Sequence, residues 1–285
     1  MAEYVAKTST KKRVVDIIVL IILILVGLTM LLPFAFALST SLKEKSQVFA
    51  VPIQWIPHPA QWGKYAEVFQ KSNFVQGAFN TCIIEFFVLT VGTFTSSLAA
   101  FSFEKMHFRF KKTIFILLIS TMMIPYPVVM IPQFVMFSTL HWVNTLLPLI
   151  VPGLFGNVAM IFFLRQNLTS IPDSLVEAAK IDGCGYFRIY WQIVLPLLKA
   201  PIVTQIVLWF MAIWNDYMAP LLYLSSPEVQ TIQVVMANFN SEYAIQTDYA
   251  LIMAAAVIAL LPTLIIFFAC QKYIIESITI TGLKA

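Results

Sequence analysis

Residues that could carry catalytic or metal chemistry are few in this sequence and lie far apart. Its three histidines and three cysteines have no close partners and stand at His58, His107, His141, Cys82, Cys184 and Cys270. A disulfide framework or a zinc site needs such residues at short, matched spacings. No GxxxxGK[ST] phosphate-binding loop occurs among the nine glycines. The sequence therefore predicts a chain with no catalytic residues, no metal site and no nucleotide or other cofactor of its own.

The most distinctive polar stretch is residues 171–201, which lies between two long apolar runs. Pro172 and Asp173 suit the first turn of a helix, where a missing N–H is harmless and a negative charge meets the positive end of the dipole. Gly183 is placed to end this helix, because glycine adopts the left-handed conformation at little cost. The predicted apolar face of the helix consists of Leu175, Ala178 and Ala179.

A second short helix is predicted to follow, with Arg188 and Gln192 on its polar side and Pro196 interrupting the pattern. Its apolar face, spaced i, i+3, i+4, i+7, consists of Phe187, Tyr190, Trp191 and Val194. Periodicity alone favours an amphipathic connector that rests on the membrane surface. The alternative is a pair of helices that contact a partner protein.

The elements that must position this stretch are membrane spans. The chain is 60% hydrophobic and 11% charged, with a mean hydropathy of +0.84, whereas about a quarter of the residues of a soluble domain are charged. A hydrocarbon core of ~30 Å needs about 20 apolar residues per helix. Six spans are therefore predicted: residues 17–38, residues 77–103, two within the uncharged run 113–164 with a turn at 141–144, residues 202–224 and residues 249–271.

The distribution of basic residues predicts the orientation of these spans. Lys and Arg concentrate in the N-terminal segment, in residues 104–112, in residues 171–201 and in the C-terminal tail. The positive-inside rule places these segments in the cytosol. The predicted fold class is an all-α membrane protein with six transmembrane helices, N-in/C-in, and with two short cytosolic helices between spans 4 and 5.

Seven positions of residues 171–201 match the EAA motif, EAA-x3-G-x9-I-x-LP: Glu177, Ala178, Ala179, Gly183, Ile193, Leu195 and Pro196. In this the chain resembles the permease subunits of bacterial binding-protein-dependent ABC importers, in which the motif lies on a cytosolic loop that docks into a cleft of the ATPase. The resemblance implies that these seven residues couple the ATPase to the spans. The residue types suit such a contact, because alanines permit close approach of helices and a carboxylate offers a charge to the partner.

Looser features resemble the carbohydrate branch of these permeases, and the resemblance extends over residues 14–285. They are the proline- and tryptophan-containing loop at residues 52–65, the segment MIPYPVVMIPQF at 123–134, and residues 214–220. The predicted domains are residues 1–70, comprising the N-terminal tail, the first span and most of the first extracellular loop, and residues 71–285, a five-helix permease core with the EAA coupling loop at 169–199.

The resemblance also implies an assembly in the bacterial inner membrane. Its members are a second, different permease subunit, two ATPase subunits that bind ATP and Mg, and an extracellular or periplasmic solute-binding protein. Membrane lipid is the remaining partner, and no nucleic acid is expected.

Polar residues inside the predicted spans are candidates for the translocation path. Acidic side chains are costly in a membrane and must face protein or water, and the two acids are Glu85 and Asp216. Asp216 is predicted to line the path together with Asn157 and Asn215. The alternative is that these side chains form hydrogen bonds between helices or lie near the membrane surface. This alternative is favoured for Glu85, which lies near the outer end of its predicted span.

Residues 225–248 form a predicted extracellular loop that is polar and too long for a simple turn. The resemblance implies that this loop contacts the solute-binding protein, with Asn238, Asn240 and Tyr243 as the contacting residues. A passive surface loop is the alternative.

Three other functions remain to be separated from a carbohydrate importer. An ATP-independent secondary transporter would carry internal repeats, and none is evident. A membrane enzyme would need clustered polar residues at one membrane face. An ABC importer permease for a solute other than a sugar fits the motif equally well.

Overall fold

The computed structural model describes residues 10–241 and 247–282, and over that part the chain is helical with no strand. The first eight α-helices are α1 (Thr10–Ser41), α2 (Gly63–Lys71), α3 (Phe74–Phe87), α4 (Thr93–Lys105), α5 (Lys111–Ser120), α6 (Tyr126–Thr139), α7 (Leu147–Leu154) and α8 (Val158–Leu168). The remaining ones are α9 (Asp173–Ile181), α10 (Tyr186–Ile189), α11 (Leu195–Leu197), α12 (Lys199–Trp214), α13 (Met218–Tyr223), α14 (Ile232–Ser241) and α15 (Tyr249–Gly282).

Short segments of other helical types join several of these helices. Residues Lys45–Gln47 and Thr121–Met123 are 3-10 helices, whereas Val88–Gly92 and Tyr190–Val194 are π-helical. The first π segment connects α3 to α4 without interrupting the helix, and the second connects α10 to α11. Such π segments occur frequently at functional sites.

Four continuous helical stretches are long and apolar enough to cross a membrane: Arg13–Ser41, Phe74–Lys105, Leu147–Leu168 and Tyr249–Ser277. Two further pairs satisfy the same test only when a bent pair is taken as one span. They are Lys111–Met123 with Tyr126–Thr139, bent by 99°, and Tyr186–Leu197 with Lys199–Trp214, bent by 78°. The all-helical membrane fold is confirmed over the described residues, and the number of spans lies between four and six.

Each of the two bends lies at a residue with non-helical backbone angles. Ile124 has extended backbone angles and precedes Pro125, and the residue before a proline disfavours the helical conformation. The second bend lies at Leu198, between α11 and α12. The predicted turn at residues 141–144 is also confirmed, because α6 ends at Thr139 and both His141 and Asn144 have positive φ angles.

The chain divides into two compact units, Met1–Gln70 with Ile245–Ile258 and Lys71–Ala244 with Ala259–Ala285. In the first unit the Lys64 ammonium forms ion pairs with Asp248 and, at 3.1 Å, with Glu67. The Tyr65 hydroxyl lies 2.8 Å from the Ser41 hydroxyl at the end of α1. The first unit thus joins the end of α1, helix α2 and the start of α15 through polar contacts.

The second unit has its main apolar core between α4 and α8. The buried side chains of this core include Phe101 and Phe103 on α4 and Leu164 and Leu168 on α8. Residues after α8 continue the same core, because Val176, Ala179, Ile189, Tyr190 and Val194 belong to it. The EAA loop is therefore packed onto two of the membrane helices rather than projecting freely.

The fifth predicted span was too long. It was expected to continue to residue 224, but α12 ends at Trp214 and α13 begins only at Met218. The reason is local hydrogen bonding by two short polar side chains, which competes with the helix. The Asn215 amide donates to the Met211 carbonyl (2.7 Å), and the Asp216 carboxylate accepts from the Ala219 N–H (3.4 Å).

The predicted loop at residues 225–248 contains helix α14, which was not predicted from the sequence. Ile232, Val234 and Val235 are buried. The Asn80 amide of α3 donates to the carbonyls of Glu228 and Gln230, both at 2.9 Å. Helix α14 thus docks on α3 through buried apolar side chains and an anchored start.

Candidate functional site

Helix α9 carries the Glu-Ala-Ala part of the EAA motif and has a well-defined end. The N–H of Cys184 donates to the Ala179 carbonyl (2.9 Å), and the N–H of Gly183 donates to the Lys180 carbonyl (3.0 Å). Gly183 has φ +79°. This pair of bonds around a left-handed residue is a Schellman motif. The predicted left-handed conformation of Gly183 is confirmed.

The apolar face of α9 differs from the predicted one. Val176 and Ala179 are buried against the core, whereas Leu175, Ala178 and Glu177 are exposed. Ile181 is 86% exposed and lies one turn beyond Ala178. The helix therefore has two apolar faces, of which Val176 and Ala179 pack inward. The outward face is called the outer stripe below and consists of Leu175, Ala178 and Ile181.

The face predicted for the second helix is also divided. Tyr190 and Val194 are fully buried as expected, but Phe187 and Trp191 are 61% and 53% exposed. The Tyr190 hydroxyl lies 2.8 Å from the Ser97 hydroxyl of α4, and its ring packs against Phe101 at 5.6 Å between centroids. The side chain of Tyr190 thus directly joins the EAA loop to a membrane helix.

The remaining motif residues lie at the end of this helix. Ile193 and Leu195 are half-buried and pack against the core, whereas Pro196 is exposed. Two residues beyond Pro196 the chain bends at Leu198 into α12. The motif thus extends from the outer stripe, through the core, to the start of a membrane helix.

A buried lysine fixes the start of this loop. The ammonium of Lys105, the last residue of α4, donates to the Ile171 carbonyl and to the Asp173 carboxylate, each at 2.6 Å. Its side chain is 3% exposed, while that of Asp173 is 77% exposed. The hydrogen bond from Lys105 lowers the pKa of the Asp173 carboxyl. This contact was not predicted from the sequence, although Lys105 is the first basic residue of the short segment 104–112 between two predicted spans.

A second ion pair lies at the same end of the helices. The Arg165 guanidinium of α8 donates to the Glu104 carboxylate of α4 at 3.0 Å and lies 3.9 Å from the centre of the Phe115 ring of α5. Lys111 of α5 donates to the carbonyls of Glu104 (3.1 Å) and Met106 (3.0 Å). The ends of α4, α5 and α8 are thus joined by charged side chains.

The three candidate residues for the translocation path are not brought together in one place. Asn157 caps α8 by accepting from the Met160 N–H (3.0 Å), and its own N–H donates to the Ser96 hydroxyl (2.8 Å). It also lines a cavity of about 390 Å³ whose walls include Gln205 and Trp209 of α12. Asn215 and Asp216 are not among the residues that line this cavity.

Glu85 lies on α3 with 5% of its surface exposed. Its Oε1 has no hydrogen-bond partner among the described residues. One of the two alternatives for Glu85, a hydrogen bond between helices, is therefore not observed for this oxygen, and a place near the membrane surface stays a prediction.

Of the three predicted contacts with a binding protein, the structure describes the side chain of one. The amide of Asn238 on α14 donates to the Gln230 side chain at 2.8 Å. Asn238 also lines an open cavity of about 450 Å³, together with Lys71, Asn73 and Phe239. Asn240 lies in α14, but its side chain is outside the described residues, as is Tyr243 entirely.

Comparison with known proteins identifies the family. Residues 92–280 match the family described as "Binding-protein-dependent transport system inner membrane component". The chain belongs to this family. The resemblance drawn from the EAA motif is thereby confirmed, as is location in the inner membrane.

Relatives within this permease family match the chain over nearly its whole length. The melibiose/raffinose/stachyose import permease protein MelC of Bacillus subtilis is 33% identical, over 94% of this chain and 96% of that protein. The arabinooligosaccharides transport system permease protein AraQ of the same organism is 30% identical, over 91% and 92%. The sn-glycerol-3-phosphate transport system permease protein UgpE of Yersinia enterocolitica is 29% identical, over 94% and 97%.

A solved structure supports the permease fold. A chain of a bacterial ABC transporter involved in the import of the acidic polysaccharide alginate aligns with a TM-score of 0.81 at 22% identity. The alignment covers 96% of this chain and 99% of the other.

Proposed function

We propose that this chain is a permease subunit of a carbohydrate ABC importer and that its EAA loop transmits closure of the ATPase subunits to the membrane helices. The two apolar faces of α9 carry the proposal. Val176 and Ala179 hold the helix on the core, whereas the outer stripe stays exposed. Exposed apolar patches next to polar residues mark protein interaction sites.

The packing of the loop explains how a force on α9 would reach the membrane. Tyr190 contacts α4 through Ser97, and Lys105 attaches the end of α4 to the start of α9. Well-packed interiors are hard to compress and move as units. A displacement of the outer stripe by an ATPase would therefore move α4 and α8 with it.

The proposed assembly follows from the family and from the absence of a phosphate-binding loop in the sequence. Two ATPase subunits bind ATP and Mg, and this chain carries no cofactor of its own. A second permease subunit completes the pathway as a heterodimer, and a solute-binding protein delivers the substrate. The chain crosses the membrane six times with both termini and the EAA loop in the cytosol.

The substrate class is proposed from the relatives. MelC and AraQ are named as permeases for melibiose, raffinose and stachyose and for arabinooligosaccharides. An oligosaccharide is therefore the proposed solute. The second candidate is a small phosphorylated polyol, since UgpE is named as a permease for sn-glycerol-3-phosphate at 29% identity. Thermal-shift assays of the cognate binding protein with both solute classes separate the two.

Individual residues are proposed for the translocation path and for the contacts with the binding protein. Asn157 and Gln205 face one cavity and supply polar groups for a hydroxylated solute, with Asn215 and Asp216 proposed further along the path. Asn238, Asn240 and Tyr243 are proposed to contact the binding protein.

The outer stripe provides the test of coupling. Ile181→Asp places a charge on the exposed stripe without disturbing a buried side chain. We expect the variant to lose ATPase binding and uptake in proteoliposomes. Ile56→Asp is the matched control, because Ile56 is also strongly exposed but lies in the first loop. Unchanged ATPase binding by Ile181→Asp would contradict the proposal, and uptake without any ATPase would favour a secondary transporter.

A further inference from the structure

A groove lies at the end of the membrane helices where α4 ends, α5 begins and α8 ends. It has a volume of about 410 Å³ and is lined by Lys111, Lys112, Phe115, Ile116 and Arg165. Lys111 begins one candidate membrane span, and Arg165 lies in the last turn of another. The groove is therefore at the level where the hydrocarbon core meets the lipid headgroups.

Charged and apolar groups follow one another along α5. Lys111 and Lys112 are its first two residues, and Phe115 and Ile116 lie about 6 Å further along the helix axis. Phe115 is buried, whereas Ile116 and Leu117 are more than half exposed. The groove thus has cations at the end that faces the lipid headgroups and apolar side chains at the depth of the hydrocarbon core.

The positive charges at the headgroup end of the groove exceed the negative charges that the protein places beside them. Glu104 is the acid paired with Arg165. The other carboxylate that interacts with Lys111, that of Asp173, is already paired with Lys105. The three cations of the groove and Glu104 therefore leave two positive charges in excess. Arg165 uses its Nε toward Glu104, which leaves its terminal N–H groups as donors. Lys112 is exposed and forms no ion pair with any residue between 10–241 or 247–282.

We infer that this groove binds the headgroup phosphate of one anionic phospholipid, with an acyl chain along Phe115 and Ile116. A lipid of this class has a negative headgroup joined to hydrocarbon, which matches the order of groups along α5. Basic pockets between membrane helices bind anionic headgroups in this way. A free phosphate would match the cations alone and would leave the apolar part of the groove unused. The inference does not depend on the coupling role proposed for the EAA loop.

Lipid retention by the purified transporter complex tests this site. The complex is equilibrated with equal amounts of phosphatidylglycerol and phosphatidylcholine of the same acyl chains and examined by native mass spectrometry. We expect the wild type to retain phosphatidylglycerol preferentially. Lys112→Gln is expected to weaken this retention by about five-fold, the effect of one basic residue near a membrane surface. Ile116→Asn is expected to weaken retention of both lipids.

Lys272→Gln is the matched control, because Lys272 is an exposed lysine near the end of the last helix. The Lys272→Gln variant should retain phosphatidylglycerol as strongly as the wild type does. Equal retention of the two lipids by the wild type would overturn the inference, as would an equal loss in the two lysine variants. Displacement of the lipid by millimolar inorganic phosphate alone would show an anion site without a lipid. Retention that disappears only when the ATPase is removed would assign the groove to that partner.

Discussion

Gly183 determines the direction in which the chain leaves α9. Its φ of +79° is unfavourable for any residue with a Cβ, although a Cβ there would meet no atom within 4 Å. Gly183→Val is therefore expected to cost about 1–2 kcal/mol through backbone strain alone. We expect the variant to assemble with the ATPase but to hydrolyse ATP with reduced uptake, measured as solute transported per ATP.

Gly185 provides the control for this variant. It also has open space around its Cα, but its φ is −71°, which valine adopts readily. Gly185→Val should transport nearly normally. If the two variants behaved alike, local side-chain bulk rather than backbone conformation would explain the effect.

Lys105 is expected to hold α9 in position through the Ile171 carbonyl. Lys105→Met retains an unbranched side chain that is one atom shorter and leaves that carbonyl without its donor, at a cost of about 1–3 kcal/mol. We expect a lower thermal midpoint of the complex and a lower ratio of transport to ATP hydrolysis. Lys105→Arg, which retains the charge and the donors, should restore the ratio at least in part; a purely structural defect would leave the ratio unchanged.

Asp173→Asn separates the two contacts of Lys105. Asp173 is largely exposed, and ion pairs with an exposed partner contribute little to the free energy of unfolding at neutral pH. Lys105 lowers the pKa of the Asp173 carboxyl. The contribution of the ion pair to the free energy of unfolding is therefore fully present above the usual pKa of an aspartate. It disappears as the pH falls through the lowered pKa of Asp173. The asparagine variant should therefore lack this acid-dependent part of the stability of the wild type. Identical acid unfolding profiles would contradict a folded-state ion pair.

At the scale of elements, Tyr190 is the buried link between the EAA loop and α4. Tyr190→Phe removes only the hydroxyl that contacts Ser97, while the Ser97 hydroxyl still donates to the Phe94 carbonyl. We expect a loss of about 0.5–1.5 kcal/mol in the free energy of unfolding. In a double-mutant cycle with Ser97→Ala, the two losses should not add.

Tyr186→Phe is the matched control for the Tyr190 variant. Tyr186 lies four residues earlier in the same helix and is exposed, with Lys180 over its ring at 4.4 Å. Its variant should retain stability. Fully additive losses in the cycle of Tyr190 and Ser97 would show that their hydroxyls do not interact.

Helix α9 shows how far the sequence predicts this site. Its start at Asp173 and its end before Gly183 are both recoverable, because proline, acidic residues and glycine act on the backbone locally. The buried face of α9 cannot be predicted in this way, because two pairs of apolar residues have the same i, i+3 spacing. These pairs are Leu175 with Ala178 and Val176 with Ala179. A helix that contacts protein on two sides is apolar on both, so periodicity cannot distinguish core from partner.

Contacts between distant segments were beyond sequence reasoning for a different reason. Lys105 and Asp173 lie 68 positions apart, and no local pattern pairs a lysine with a particular carbonyl. Helix α14 was missed because its apolar residues, Ile232, Val234 and Val235, lie among polar ones. Its stability derives from docking on α3 rather than from its own propensity.

At the scale of the whole molecule, the orientation of the chain is tested through its cysteines. Cys184 follows Gly183, is half-buried and lies between α9 and α10, whereas Cys82 and Cys270 lie in membrane helices. The thiolate is the reactive form of cysteine, and apolar surroundings such as the hydrocarbon core of a membrane disfavour it. A membrane-impermeant maleimide is therefore expected to label Cys184 in inside-out vesicles and to label it little in right-side-out ones.

The same label reports on docking of the ATPase at the outer stripe. Ile181 lies three positions before Cys184 and is strongly exposed, so a bound ATPase should shield both. Addition of the ATPase is expected to slow labelling in the wild type and to leave it unchanged in Ile181→Asp. Cys184→Ser identifies the labelled site, because it should abolish the signal from the cytosolic side. Equal rates with and without the ATPase would contradict docking on α9, and labelling from the outer face would reverse the orientation assigned to every loop.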